Sequence, residues 1–208
     1  MAIASHPPPP PLRAVAAKVA PLQLARERVL EVPGTMGRLV PGGAVQRGSV
    51  VSVAGTVGSG VTSAVLGLAA AATRAGEWSV VVEGGDLRGV GGLAAAEAGV
   101  DLERFAAIRE VPSDRWATVV AALLDGISMV VAGVPRGTRA GDARRLVARA
   151  RERGAVLVPV GVWPASSMLR IRAGGGRWPE LDDAGFLSAR PLQAQVEGRS
   201  APPSSVAV

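Results

Sequence analysis

Gly55-Thr56-Val57-Gly58-Ser59-Gly60-Val61-Thr62 has the spacing of a phosphate-binding loop, G-x-x-x-x-G-K-[ST], with valine where the lysine belongs. In such a loop the glycines let backbone N–H groups face the phosphates. The lysine ammonium reaches the β and γ phosphates, and the Ser/Thr hydroxyl ligates Mg²⁺. Val61 supplies no charge, so the motif keeps a cradle and Thr62 and loses its cation. Glycine spacing alone decides little in a chain with 27 glycines, so the flanks carry the weight. Ser49 to Val53 reads as a buried strand, and Val61, Val65, Leu68 and Ala72 recur at helical spacing. The sequence predicts strand, glycine loop and helix in succession, with an ordinary glycine turn as the alternative.

A nucleotide site of this kind also needs an aspartate for Mg²⁺ at the end of a later apolar strand. That strand is Ile127 to Val131, and it runs into Ala132-Gly133 with no carboxylate. Around it, strands are predicted at 79–82, 105–111 and 156–160. Helices are predicted at 93–98, from a Ser113 or Asp114 cap to about Gly126, and at 142–153 up to Gly154. This alternation predicts an α/β fold with a mostly parallel central sheet and helices on both faces. Met168 to Arg172, a Gly174–Gly176 turn and Leu187 to Val196 predict antiparallel strands that finish the sheet. The domain reading is a proline-rich disordered tail at 1–11, an N-terminal docking segment at 12–32, a core at 33–198 and a disordered tail at 199–208. Within the docking segment, Val15, Val19, Leu22 and Leu24 lie beside Arg13, Lys18, Arg26 and Arg28. That amphipathic mixture is too short to fold alone, and Val29 to Val32 reads as a short strand.

With no cysteine and one histidine, His6, the chain has no disulfide, no Cys/His metal site and no thiol or histidine general base. The apolar run Ala64 to Ala72 is too short to span a bilayer, and the N-terminus lacks the pattern of a secretory signal, so a cytoplasmic protein is expected. The net charge of +6 is almost wholly arginine and suits phosphate or carboxylate partners. Arginine over lysine with abundant alanine and glycine also fits GC-rich coding bias.

The order of elements resembles the RecA-like recombinase core, and within it the ImuA family of mutagenesis proteins in their short actinobacterial form. The resemblance covers residues 32–198. Its marks are Leu39-Val-Pro-Gly-Gly43, Arg47-Gly48-Ser49, the degenerate Walker A loop, Gly99-Val100-Asp101 and Asp125-Gly126. By this resemblance the loop lysine falls on Val61, the catalytic glutamate near Asp86 in Glu83-Gly-Gly-Asp86, and the metal aspartate on Ala132. The glutamine that couples nucleotide to DNA falls on Gly161 or Val162. Thr62 alone is retained. The segments matching the mobile DNA-binding loops are short, Gly133 to Gly141 and Gly161 to Ser167. The resemblance implies a non-enzymatic adaptor without cofactor or metal. It would act in the DNA damage response, in SOS-induced translesion synthesis, through protein–protein contacts. The implied partners are an ImuB-like protein and an error-prone DnaE-type polymerase, with RecA a further one and no membrane role. The alternative is a divergent ATP-dependent recombinase in which Arg136 or Arg139 replaces the lost cation.

Other candidates remain double-sided. Glu83 and Asp86 read as a general-base pair or as a solvated loop that contacts a partner. Arg144, Arg145, Arg149, Arg151 and Arg153 on the 142–153 helix read as a phosphate-contacting patch or as a solvated face. Trp163 and Trp178, beside Arg170, Arg172 and Arg177, read as base-stacking groups or as closure of the sheet edge. DNA contact through Arg136, Arg139, Arg144, Arg145, Arg149, Arg170, Arg172 and Arg177 is expected to be weak and non-specific.

Overall fold

A computed structural model describes residues 28–174, 193–198 and 201–207. It contains ten strands: β1 (Val29–Glu31), β2 (Ala44–Gln46), β3 (Val51–Gly55), β4 (Ser79–Val82), β5 (Phe105–Ile108), β6 (Met129–Gly133), β7 (Val156–Val160), β8 (Leu169–Ala173), β9 (Gln193–Gly198) and β10 (Ala201–Ala207). The α-helices among the described residues are α1 (Val61–Arg74), α2 (Gly92–Glu97), α3 (Trp116–Leu123) and α4 (Ala140–Arg153). Eight strands form one sheet in the order β10-β9-β8-β3-β7-β6-β4-β5, and β1 and β2 form a separate antiparallel pair. The strands from β8 to β5 run parallel to one another, β9 is antiparallel to β8, and β10 is antiparallel to β9.

The near-continuous valine runs of β4, β6 and β7 are what a sheet covered on both faces requires. Alternate residues divide between two cores. Val51, Val53, Val81, Met129, Val131 and Val158 pack with α1 on one face, whereas Val80, Val82, Val130, Ala132 and Leu157 pack with Trp116, Val120, Leu146 and Ala150 of α3 and α4 on the other. Helix α1 is buried from Ala64 to Thr73 because its outer side is covered too: a Cβ at Gly67 would strike Met36 of the 34–39 turn. In β8 and β9 burial alternates strictly. Leu169, Ile171, Ala173, Ala194 and Val196 face the α1 core, while Arg170, Arg172, Gln193, Gln195 and Glu197 face solvent.

Several expectations are corrected. Strands β3 and β6 run two residues further than predicted, ending on Gly55 and Gly133. Helix α3 has Arg115 at its N-cap position and no side-chain cap, because residues 113–115 form a turn ahead of it. Strand β8 is parallel to β3; only β9 and β10 supply the expected antiparallel closure. The domain boundary at 32/33 does not hold, since β1 pairs with β2 and Leu30 is 1% exposed in the first core. Residues 201–207 are no tail. Their backbone pairs with β9, and Pro202 and Pro203 fall inside the register shift between Ala201 and Ser204, where missing N–H groups cost no ladder bond. The N-terminal tail, most of the docking segment, and Arg177, Trp178 and the residues to Leu192 lie outside the described residues.

Candidate functional site

The carboxyl ends of β3, β4, β6 and β7 meet along one edge of the sheet, the position where open α/β sheets bind ligands. Between β3 and α1, Gly58 (φ 75°) and Gly60 (φ 95°) adopt the left-handed conformation that glycine alone adopts without strain. Gly55 has no room for a side chain, since a Cβ there would lie 2.8 Å from the Ala173 carbonyl oxygen and 2.8 Å from Val61 Cγ2. Val57 at the tip is fully exposed. Val61, at the lysine position, packs against the α1 core, and Thr62 is half-buried beside it. Ser59 is buried, and its hydroxyl makes no hydrogen bond among the described residues. The frame is therefore present, with an apolar anchor in place of the cation.

The loops after β4 and β6 pack closely against each other. A Cβ on Gly133, at the end of β6, would overlap the backbone of Gly84, just beyond β4, and one on Gly85 would overlap that of Val134. The two loops touch main chain to main chain. Ala132, at the metal-ligand position, is fully buried in the α3/α4 core. Glu83 is neither a free base nor a solvated group: its side chain is 12% exposed. Its carboxylate accepts from Gly89 N (3.2 Å), Val90 N (3.1 Å) and Arg109 Nε (3.2 Å), which ties down the loop between β4 and α2. Burial pushes this carboxyl up, but Arg109 and the two backbone N–H groups together outweigh it and lower its pKa. Asp86 is exposed, and its Oδ2 lies 4.0 Å from where a Cβ on Gly161 would sit. No bond joins it to Glu83 among the described residues. Gly161 (φ 111°) and the 86% exposed Val162 follow β7, so the residues on which the resemblance puts the coupling glutamine lie on this edge.

The arginines separate into committed and open ones. Arg149 holds Asp125 through Nε at 2.8 Å and Arg153 joins at 3.0 Å, which removes Arg149 from the candidate phosphate contacts. The Arg149 hydrogen bond is the largest influence on the Asp125 carboxyl and, with the Arg153 charge, lowers its pKa against a smaller desolvation effect. Arg145 reaches Asp142 at 3.4 Å on the exposed surface. Arg144, Arg170 and Arg172 make no ion pair among the described residues. Arg136 and Arg139 are exposed in the loop after β6, and β7 stands between that strand and β3. Trp163 packs against the α3/α4 core, which is closure and not an open stacking face.

The motifs behind the resemblance have local structural roles. Gly48 (φ 74°) lies against the Arg151 carbonyl, and Arg47 Nη1 donates to Glu77 at 2.9 Å. Gly99 accepts from Arg74, the Asp101 N–H donates to Thr73 Oγ1, and the Asp101 carboxylate caps Glu103 N. Arg109 as the partner of Glu83, and the Gly84–Gly133 contact, had no sequence signal beyond glycines at two strand ends. Among the described residues no cluster of His, Cys, Asp or Glu could hold a metal ion, and no helix is long and apolar enough to cross a membrane.

These features define an α/β protein with a phosphate-loop-like turn that lacks its lysine and a closed edge where catalytic carboxylates would act. A family model, the MT3502 N-terminal domain, matches residues 38–165, from the first turn before β2 through the loop after β7. The chain is 40% identical over 151 residues to the uncharacterized protein Rv3395c of Mycobacterium tuberculosis, covering 70% of this chain and 69% of that protein. The chain belongs to the MT3502 N-terminal domain family.

Proposed function

We propose that this protein is a cytoplasmic, non-enzymatic RecA-like adaptor in DNA-damage-induced translesion synthesis. In this reading it joins an ImuB-like protein and an error-prone DnaE-type polymerase through protein contacts. The observation that supports the non-enzymatic part is the pair of residues at the two expected charged positions: Val61 in the glycine loop, and Ala132, which is fully buried in the α3/α4 core. The RecA-like part is supported by a glycine loop on a central strand, β3, with the glutamate-bearing and metal-position strands β4 and β6 neighbours on one side of it. The partners are carried by the resemblance alone.

The test mixes the purified chain with the two partner proteins and follows co-elution by size exclusion, with and without Mg²⁺·ATP. A complex that forms equally in both conditions, with ATP turnover no higher than a heat-killed control, is the expected result. Absence of any complex overturns the adaptor reading, and Mg²⁺-dependent turnover favours a divergent ATPase. A weak DNA-binding role is favoured by the open Arg170 and Arg172, which face solvent on β8. It predicts affinity for single strands that falls steeply with salt and ignores sequence.

A further inference from the structure

Helix α4 has three differently used sides. Ala143, Leu146 and Ala150 are buried against the sheet, and Arg149 and Arg153 hold Asp125 at the end of α3. The third side has no partner among the described residues. There Arg144, Val147, Ala148, Arg151 and Glu152, with Ser166 of the loop after β7, line a shallow groove of about 480 Å³. The 144/147/148/151 spacing puts these residues on one stripe. Arg144 and Arg151 are two turns apart, about 10 Å at 1.5 Å rise per residue. Neither makes an ion pair among the described residues, so two open cations bracket an apolar floor.

We propose that this groove docks an acidic amphipathic helix of a partner protein, with carboxylates two turns apart over Arg144 and Arg151 and aliphatic side chains between them on Val147 and Ala148. Charge and surface chemistry argue against three other occupants. The chain's own residues 12–27 carry Arg13, Lys18 and Arg26 against the single acid Glu27, so they bring the same sign. A second copy docking by the same groove would bring Arg144 and Arg151 against themselves. A nucleic-acid strand would lay its phosphate backbone over an apolar floor, and Trp163 on the adjoining loop is packed against the α3/α4 core. An apolar stripe with a cation at each end, two turns apart, is how helix-in-groove recognition of an acidic helix is built. The proposal rests on the adaptor reading and deepens it by assigning the surface.

The probes are two synthetic helical peptides of identical composition. One carries Glu at i and i+7 with Leu at i+3 and i+4, and the other has the same residues scrambled off that face. Fluorescence anisotropy on the full chain is expected to show the patterned peptide binding at least about tenfold tighter than the scrambled one. The Arg144→Glu/Arg151→Glu variant should lose about tenfold or more, with an unchanged melting temperature because both side chains are exposed. A peptide with Lys in place of Glu should recover binding to that variant, and Arg38→Glu, outside the groove, should change nothing. Equal binding of the two peptides, or an affinity untouched by the double reversal, overturns the proposal. So does a single-stranded oligothymidylate that depends on Arg144 and Arg151 where the patterned peptide does not bind. If the double variant still co-elutes with the ImuB-like protein and polymerase, the surface is wrong and the adaptor reading stands; if the wild type itself forms no complex, the adaptor reading fails first.

Discussion

The loop after β3 and the pair of loops after β4 and β6 share one edge of the sheet and are built in opposite ways. The first is open: Val57 is fully exposed, and Gly58 and Gly60 carry the left-handed turns that start α1. The second is closed: Gly84 and Gly85 meet Gly133 and Val134 through backbone, Leu87 and Val90 are buried, and Glu83 is held by Arg109 and two N–H groups. A glycine-rich turn survives wherever a strand must pass directly into a helix, with or without a phosphate to hold. The close packing of the second pair depends on two loops meeting in space, so the glycine turn is the part that a sequence shows and the packing is the part that it hides.

The contrast predicts unequal costs for one added methyl group. Gly133→Ala must displace the Gly84 backbone and should cost about 3 kcal/mol, read as a loss of unfolding free energy in urea. Gly126→Ala, with nothing within 4 Å of the new methyl, should stay within about 0.5 kcal/mol of wild type. If both substitutions cost the same, the two loops are not in contact.

Next in size is Glu83→Gln, which removes charge-assisted bonds from a nearly buried group and should cost about 1–2 kcal/mol. The pH dependence carries a sign. The folded pKa lies below the unfolded one, so the contribution is complete above the ordinary glutamate value of about 4.3 and fades as pH falls through the folded value. The wild type should therefore lose more stability than the variant on acidification, and parallel pH curves would show Glu83 to be unpaired. Gly58→Ala in the open loop meets only the strain of its positive φ and should cost about 1 kcal/mol. A cost above that of Gly133→Ala would reverse the comparison. The smallest effect belongs to Asp125→Asn, whose exposed pairs with Arg149 and Arg153 are screened by salt, so any fall in melting temperature should vanish near 1 M salt.

The parallel sheet and its helices were legible because valine runs and glycine stops are local signals; β4, β7 and the start and end of α1 and α4 follow them closely. What was not legible depended on neighbours in space. The Gly84–Gly133 contact exists because β4 and β6 are adjacent in the sheet although the two glycines are 49 positions apart in the chain. Arg109 reaches Glu83 for the same kind of reason, β5 lying beside β4. Arg149 looked available on its helix, and only the packing of α3 on α4 put Asp125 under it. Strand β10 was hidden by its prolines, which a register shift tolerates and a composition count does not.

The closed edge is tested most directly by titrating millimolar Mg²⁺·ATP into the wild-type chain and into Val61→Lys/Ala132→Asp while following heat and melting temperature. A ligand present at 100 times its Kd would add about 2.7 kcal/mol to stability, an unmistakable rise. The expected result is no binding heat and no rise for either protein, because a side chain at position 132 enters the packed α3/α4 core and not the loop edge beside Thr62. Saturable binding by the wild type, with a melting temperature that climbs with ATP, would contradict it.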